Sequence, residues 1–199
     1  MFIILAVAFV LNDYLSLFPG NFYYSKQYDK TIQYARAAII LNPLNNGVMR
    51  YWIRSRMELG QDPAQTARLI DFYYKTHPLS SRTDWNASVL YYNLYHQTNN
   101  PQDLHSAYDY GDKAIQRAPD FAALYFYASY IRYQQKDYVN AHRYLDKAIA
   151  VKEDELSYWS LRAMIAKETG DRAGVITALE RAQKIEFTSP AYKQVLERA

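Results

Sequence analysis

An all-α fold follows from three features of the 199-residue sequence. Only 6 Gly and 7 Pro interrupt it, and helix formers such as Ala, Leu, Lys and Gln are common. Long alternating stretches of the strand type are missing. Alanine also recurs at a fixed interval: Ala107 and Ala114 lie 34 residues before Ala141 and Ala148, and Ala182 lies 34 after Ala148. A period of that length marks an array of small units, none of which buries its apolar face alone.

The first stretch, "MFIILAVAFVLNDYLSLFPG", holds ten apolar residues from Phe2 to Leu11 before Asn12 and Asp13. Ten residues rise about 15 Å in a helix, half of a hydrocarbon core about 30 Å thick. Counted through Phe18, the run reaches the lower limit for a span. No Lys or Arg precedes it and no small-x-small site follows, which fits a cleaved signal peptide poorly. Three readings stay open: the end of a membrane helix, an uncleaved anchor, or an apolar first helix packed on the array. Residues 1–20 are taken as this hydrophobic helix and 21–199 as the array proper.

The first unit spans residues 12–45. "KQYDKTIQYARAAIILNP" places Tyr28, Ala35, Ala38, Ile39 and Pro43 as a second helix, whose first helix overlaps residues 12–25. A looser unit, 47–80, ends at Pro78. From Pro43 to Pro78 is 35 residues but from Pro78 to Pro119 is 41, so about seven extra residues near "SRTDWNA" lengthen a helix or a loop.

Three units in register follow, at 88–121, 122–155 and 156–189. Each reads as two helices: Ser88 to Thr98 with Asp103 to Arg117, Ala122 to Gln135 with Tyr138 to Lys152, and Leu156 to Thr169 with Arg172 to Ile185. Tyr91, Tyr125 and Trp159 share one position, Ile115 and Ile149 another, Leu145 and Leu179 a third, and Asp103, Asp137 and Asp171 fall in step. The turns "NNPQD", "QKD" and "TGD" carry helix-stop and helix-start residues, with Gly170 suited to a left-handed cap and Asp171 to an N-cap. The alanines have a steric reason: two helices cross closely only where one offers a small side chain. Ser189 and Pro190 open a last helix, 190–199, that would cap the array.

At these residues the sequence resembles the tetratricopeptide repeat family. The pattern is met by Tyr91, Leu94, Ala107, Ala114 and Pro119, then by Tyr125, Ala128, Ala141, Leu145 and Ala148, and again by Trp159, Ala163, Leu179 and Ala182. It departs where Glu153 and Phe187 replace the closing Pro, Val175 replaces an Ala, and Arg132 takes an aromatic position. The resemblance implies a right-handed α-α superhelix of about five helical hairpins, with the first helices lining a concave face where partner peptides lie.

Carried over by position, that groove would present Tyr92, Asn93 and His96, then Phe126, Tyr127, Tyr130 and Tyr133, then Ser160, Met164 and Lys167. The 21 Tyr suit such a surface, since an aromatic ring with a polar tip packs and binds with little loss of rotamer entropy. The alternative is that these rings pack between neighbouring helices or against the amino-terminal segment. The family's clamp for a chaperone tail carboxylate is not expected, because only Asn93 matches it and Phe126 and Tyr130 occupy places needing cations.

The absence of Cys excludes disulfides and thiolate chemistry. No Gly-rich phosphate loop or nucleophile elbow occurs, and His77, His96, His105 and His142 lack metal-ligand spacing. No cofactor or metal is expected. "NAS" at Asn86 fits a glycosylation sequon in or beside a helix. The net charge of +3 comes from scattered residues, which argues against nucleic acid and against the RNA-binding pentatricopeptide class.

The expected function is therefore non-enzymatic: an interaction module that binds a protein or peptide partner, held at a bacterial inner membrane by the amino-terminal segment, with the repeats in periplasm or cytoplasm. A second expectation comes from organisation alone. An apolar helix running into repeats is similar to the carboxy-terminal region of O-antigen ligase and polymerase-type membrane enzymes, in which case the groove would meet a glycan.

Overall fold

The computed structural model describes residues 14–188, and every regular element among them is a helix. In chain order these are α1 (Phe18–Tyr24), α2 (Tyr28–Leu41), α3 (Asn46–Glu58), α4 (Pro63–Thr76) and α5 (Ser81–Thr98). Then come α6 (Pro101–Arg117), α7 (Ala122–Gln134), α8 (Tyr138–Val151), α9 (Leu156–Glu168) and α10 (Arg172–Thr188). They pair as hairpins, α1 with α2 through α9 with α10. The apolar run Phe2–Leu11 and the expected cap at 190–199 lie outside the described residues. The chain divides between Ala114 and Ile115 into two compact units.

A left-handed residue closes the first helix of every hairpin. Lys26, Gly60, Asn99, Lys136 and Gly170 have φ of 57°, 60°, 51°, 60° and 76°. Around Lys136 its N–H donates to Tyr133 O at 2.9 Å and the Asp137 N–H donates to Arg132 O at 2.9 Å, the paired closure that satisfies the last helical carbonyls. The same two bonds recur at Lys26, Gly60 and Gly170. Gly170 behaves as its sequence context predicts. The lysines do not advertise themselves, because a left-handed side chain costs about 1–2 kcal/mol.

Three of the second helices, α4, α8 and α10, start on an aspartate cap. Asp62 Oδ1 accepts the Ala64 N–H at 2.9 Å, Asp137 Oδ1 the Asn140 N–H at 3.3 Å, and Asp171 Oδ1 the Gly174 N–H at 2.9 Å. Asp103, in step with the last two by sequence, does otherwise. Here α6 begins at Pro101, Asn100 Oδ1 accepts the Gln102 N–H at 3.1 Å, and Asp103 Oδ2 accepts the Thr98 hydroxyl at 2.8 Å.

The periodic alanines sit at the crossings. Ala35, Ala38, Ala107, Ala114, Ala141 and Ala148 are fully buried, and Ala182 nearly so. Two serine hydroxyls mark how near the backbones come: Ser88 Oγ donates to Ala107 O at 2.7 Å, and Ser129 Oγ donates to Ala141 O at 2.6 Å. At the α5–α6 crossing a Cβ on Gly111 would stand 3.2 Å from Ser88 Oγ. Tyr91, Tyr125 and Trp159 are all buried at their shared position.

The seven extra residues prove to be helix. Two added turns bring the α5 amino terminus back to Ser81, where Ser80 Oγ accepts the Thr83 N–H at 3.1 Å. The added turns bury Thr83, Asp84 and Ala87. Asp84 is tolerated there because it accepts the Tyr74 hydroxyl at 2.9 Å.

Two positions differ from what their sequence pattern alone would suggest. Leu179 is 54% exposed although its equivalent, Leu145, is fully buried. Leu145 packs in one cluster with Tyr158 and Leu161 of the following hairpin, and no further hairpin follows α10 among the described residues. The position is filled by the next unit, not by its own. Asn86, in the sequon, is half-buried on α5 with its amide committed: Nδ2 donates to the Tyr73 hydroxyl at 3.0 Å, and Oδ1 accepts from Arg50 Nη1 at 3.2 Å. Such an amide is not presented for glycosylation. Arg132 replaces an aromatic by lying over the Tyr144 ring at 4.1 Å and donating Nη1 to Ala128 O at 3.2 Å.

Candidate functional site: first-helix faces of the two units

In the first unit, α3 presents Asn46, Arg50, Arg54 and Glu58 at intervals of four, which sets them in one row. On α5 the series Arg82, Trp85 or Asn86, Val89, Asn93, His96 runs at intervals of three and four. Side chains from these two rows line adjoining cavities. One, of about 640 Å³, has Asn46, Arg50 and Arg54 on its α3 wall and Arg82, Trp85 and Asn86 on its α5 wall, over Val89 and Leu90. The other, of about 290 Å³, is bounded by Tyr23, Arg54, Glu58, Asn93, His96 and Gln97. Arg54 belongs to both.

The larger cavity is held from beneath. Tyr73 on α4 is fully buried, and its hydroxyl receives Asn86 Nδ2, which in turn places Asn86 Oδ1 before Arg50 Nη1. Burial raises the Tyr73 phenol above its ordinary range, while the hydrogen bonds from Asn86 and Asn46 and the charge of Arg50 oppose the rise. In the smaller cavity, Arg54 lies 5.9 Å from the Tyr23 ring centroid. The Tyr23 phenol is raised by burial and pulled back by the Arg54 charge.

Of the groove residues expected from sequence, Asn93 and His96 are thus brought together with charged partners from α3. Tyr92 stands behind them, 5% exposed, its ring edge-on to His96 with centroids 4.5 Å apart. In the second unit Phe126 stacks on Tyr158 at 4.9 Å, and Phe126 and Tyr133 pack against the core. Tyr127 is half-buried. Tyr130, Met164 and Lys167 reach solvent, with Tyr130 38% exposed.

Sequence reasoning missed Arg50, Arg54, Arg82 and Trp85. The three arginines form no run, but the spacing of Arg50 and Arg54 with Asn46 and Glu58 on α3 was legible as a helical row.

The histidines divide as packing and surface residues. His77 is buried, its Nδ1 2.7 Å from Tyr73 O, while His96, His105 and His142 are exposed. Among the described residues no group of three or more His, Asp or Glu is placed to hold a metal.

No family model and no curated protein matches the chain. Solved structures do. A thermophilic TPR protein from Thermus thermophilus superposes with a TM-score of 0.64 at 16% identity, covering 92% of this chain and 95% of its own. A crystal structure of MamA superposes with a TM-score of 0.63 at 14% identity, covering 85% and 94%. A MamA double mutant reaches a TM-score of 0.68 at 9% identity, covering 91% and 97%. The chain has the tetratricopeptide repeat fold.

Proposed function

We propose that the chain is a non-catalytic interaction module that takes an extended segment of a partner protein on its first-helix faces. The observation that carries this reading is the pair of adjoining cavities on α3 and α5, with Arg54 common to both. A surface whose side chains served packing alone would be filled by its neighbours. The charged, amide and aromatic groups on these walls suit recognition of a polypeptide. Tyr130 and Lys167 offer a second contact face in the other unit.

The apolar run Phe2–Leu11 supports a place at a membrane. Among the described residues no helix is long and apolar enough to cross one.

The test places a photo-crosslinking amino acid at Gln97 and, separately, at Tyr130, in the full chain in its own cells. Adducts with one defined protein segment are expected at Gln97, and Asn93→Ala with His96→Ala should remove them while helical circular dichroism holds. No protein adduct at either position overturns the proposal. Membrane fractionation of the same cells reads the location.

A further inference from the structure

The 640 Å³ cavity has a chemistry of its own. Among the described residues that line it none is acidic, and three, Arg50, Arg54 and Arg82, are guanidinium donors. The acids on the two helices that build it are accounted for elsewhere. On α3 the acid is Glu58, which lines the neighbouring cavity. On α5 it is Asp84, fully buried and accepting the Tyr74 hydroxyl.

The other polar groups point the same way. Both amides, Asn46 and Asn86, line the walls uncharged, each bonded to the Tyr73 hydroxyl. Arg50 is fixed by Asn86, yet its Nε is buried and meets no acceptor among the described residues. A guanidinium with a donor left unmade is met best by a carboxylate, which Arg50 can reach once its side chain turns toward the cavity.

We infer that this cavity receives an acidic peptide segment, with carboxylates at the guanidiniums and an apolar side chain over Val89 and Leu90. The inference rests on the interaction-module reading and names the chemistry of its partner. Charge complementarity selects the occupant. A nucleic-acid strand is disfavoured by the same face: a phosphate backbone needs a continued basic track, whereas Glu58, Asn93 and the apolar Val89 and Leu90 interrupt it. The row from Asn46 to Glu58 rises about 18 Å along α3, which about six extended residues would follow.

The test uses the full chain with a photo-crosslinking amino acid at Val89 and three fluorescent six-residue probes: alternating Glu and Leu, alternating Gln and Leu, and alternating Lys and Leu. The Glu–Leu probe should label at least about tenfold more than the others. Labelling should fall about tenfold when salt is raised to about 0.5 M, where the screening length is about 4 Å. Arg82→Gln and Arg54→Gln should together lower affinity about tenfold by anisotropy. Arg82 is exposed in the first turn of α5, so Arg82→Gln alone keeps the fold and still reads the effect.

Equal labelling by the Gln–Leu probe, no labelling by the Glu–Leu probe, or indifference to Arg82→Gln overturns the inference. So does a single-stranded RNA of equal charge that displaces the Glu–Leu probe and loses affinity with the same arginines. These results leave the adducts at Gln97 and Tyr130 standing or falling by themselves, which separates this failure from that of the broader reading.

Discussion

Ala141→Leu puts the steric argument for the repeat to a direct test. Ala141 is fully buried on α8, and its carbonyl accepts Ser129 Oγ from α7 at 2.6 Å. Leucine adds three carbon atoms to a crossing whose neighbours Leu145 and Ala148 are themselves at zero exposure. Overpacking of this kind costs about 1–3 kcal/mol, and parting the helices to admit it would break the Ser129 bond, a further loss of about 1 kcal/mol. We expect about 3 kcal/mol in all. The control is Ala150→Leu on the exposed side of the same helix, which should stay within about 0.5 kcal/mol of the parent. Urea denaturation followed by far-ultraviolet circular dichroism measures both. With a slope of about 2 kcal/mol per molar urea, the midpoint of Ala141→Leu should fall by about 1.5 M. If the two variants unfold together, small side chains do not set the approach of α7 to α8.

Other perturbations address the turns, the buried acid and the tyrosines. Lys136→Gly removes a left-handed side chain and should raise thermal stability by about 0.5 kcal/mol, the relief being partly offset by the freer unfolded chain. Asp84→Ala should cost about 2 kcal/mol by urea titration and Asp84→Asn less, because the amide oxygen still accepts the Tyr74 hydroxyl. Burial, seconded by Asp71, raises the phenols of Tyr91 and Tyr110, the latter to about 12. Above pH 10 the unfolded chain therefore releases protons that the folded one keeps. This stabilisation is whole below pH 10 and is lost as pH climbs toward 12, so urea midpoints should drop across that window and Tyr110→Phe should flatten the decline.

How far the sequence could be read depended on whether a position answers to its own hairpin or to another. Ala107, Ala141 and Ala148 serve crossings inside a unit, so a 34-residue spacing sufficed to place them. Leu179 shares the spacing, but its burial requires a following hairpin, which periodicity cannot supply. The extra turns of α5 left a length difference between prolines; helix or loop was undecidable until Asp84 was seen with Tyr74. Asp103 kept its period and lost its cap because Pro101 starts the helix two residues early.

The candidate site was harder for a related reason. Asn93 and His96 followed from the repeat alignment, yet their charged surroundings come from α3, in the unit whose pattern was loosest. Arg50 and Arg82 are 32 residues apart and share a cavity only because α3 and α5 are the first helices of successive hairpins. A search for basic runs cannot find such a pair.

Arginine alone does not mark a binding face in this chain, and α3 shows why. Its other side carries Trp52 and Arg56, which with Arg36, Gln65, Arg68 and Leu69 line a third cavity of about 360 Å³ between α2, α3 and α4. There Arg56 donates to Gln65 Oε1 at 3.2 Å and to Thr66 Oγ1 at 3.5 Å, and Arg68 Nε donates to the Ala64 carbonyl at 3.3 Å. Those bonds tie guanidiniums to the second helix of the hairpin and give them a structural task. Arg50, by contrast, is braced through Asn86 and Tyr73 while its Nε meets no acceptor among the described residues. Close packing is settled by buried alanines on α2, α6, α8 and α10 and by Thr66, Ile70 and Tyr73 on α4, which leaves Arg54 and Arg82 on the outward rows of α3 and α5 without a steric duty. Substitution of Arg56 should therefore register in stability and substitution of Arg82 in ligand affinity. Urea titration and peptide anisotropy on the two variants would reveal the reverse pattern if the assignment of faces were wrong.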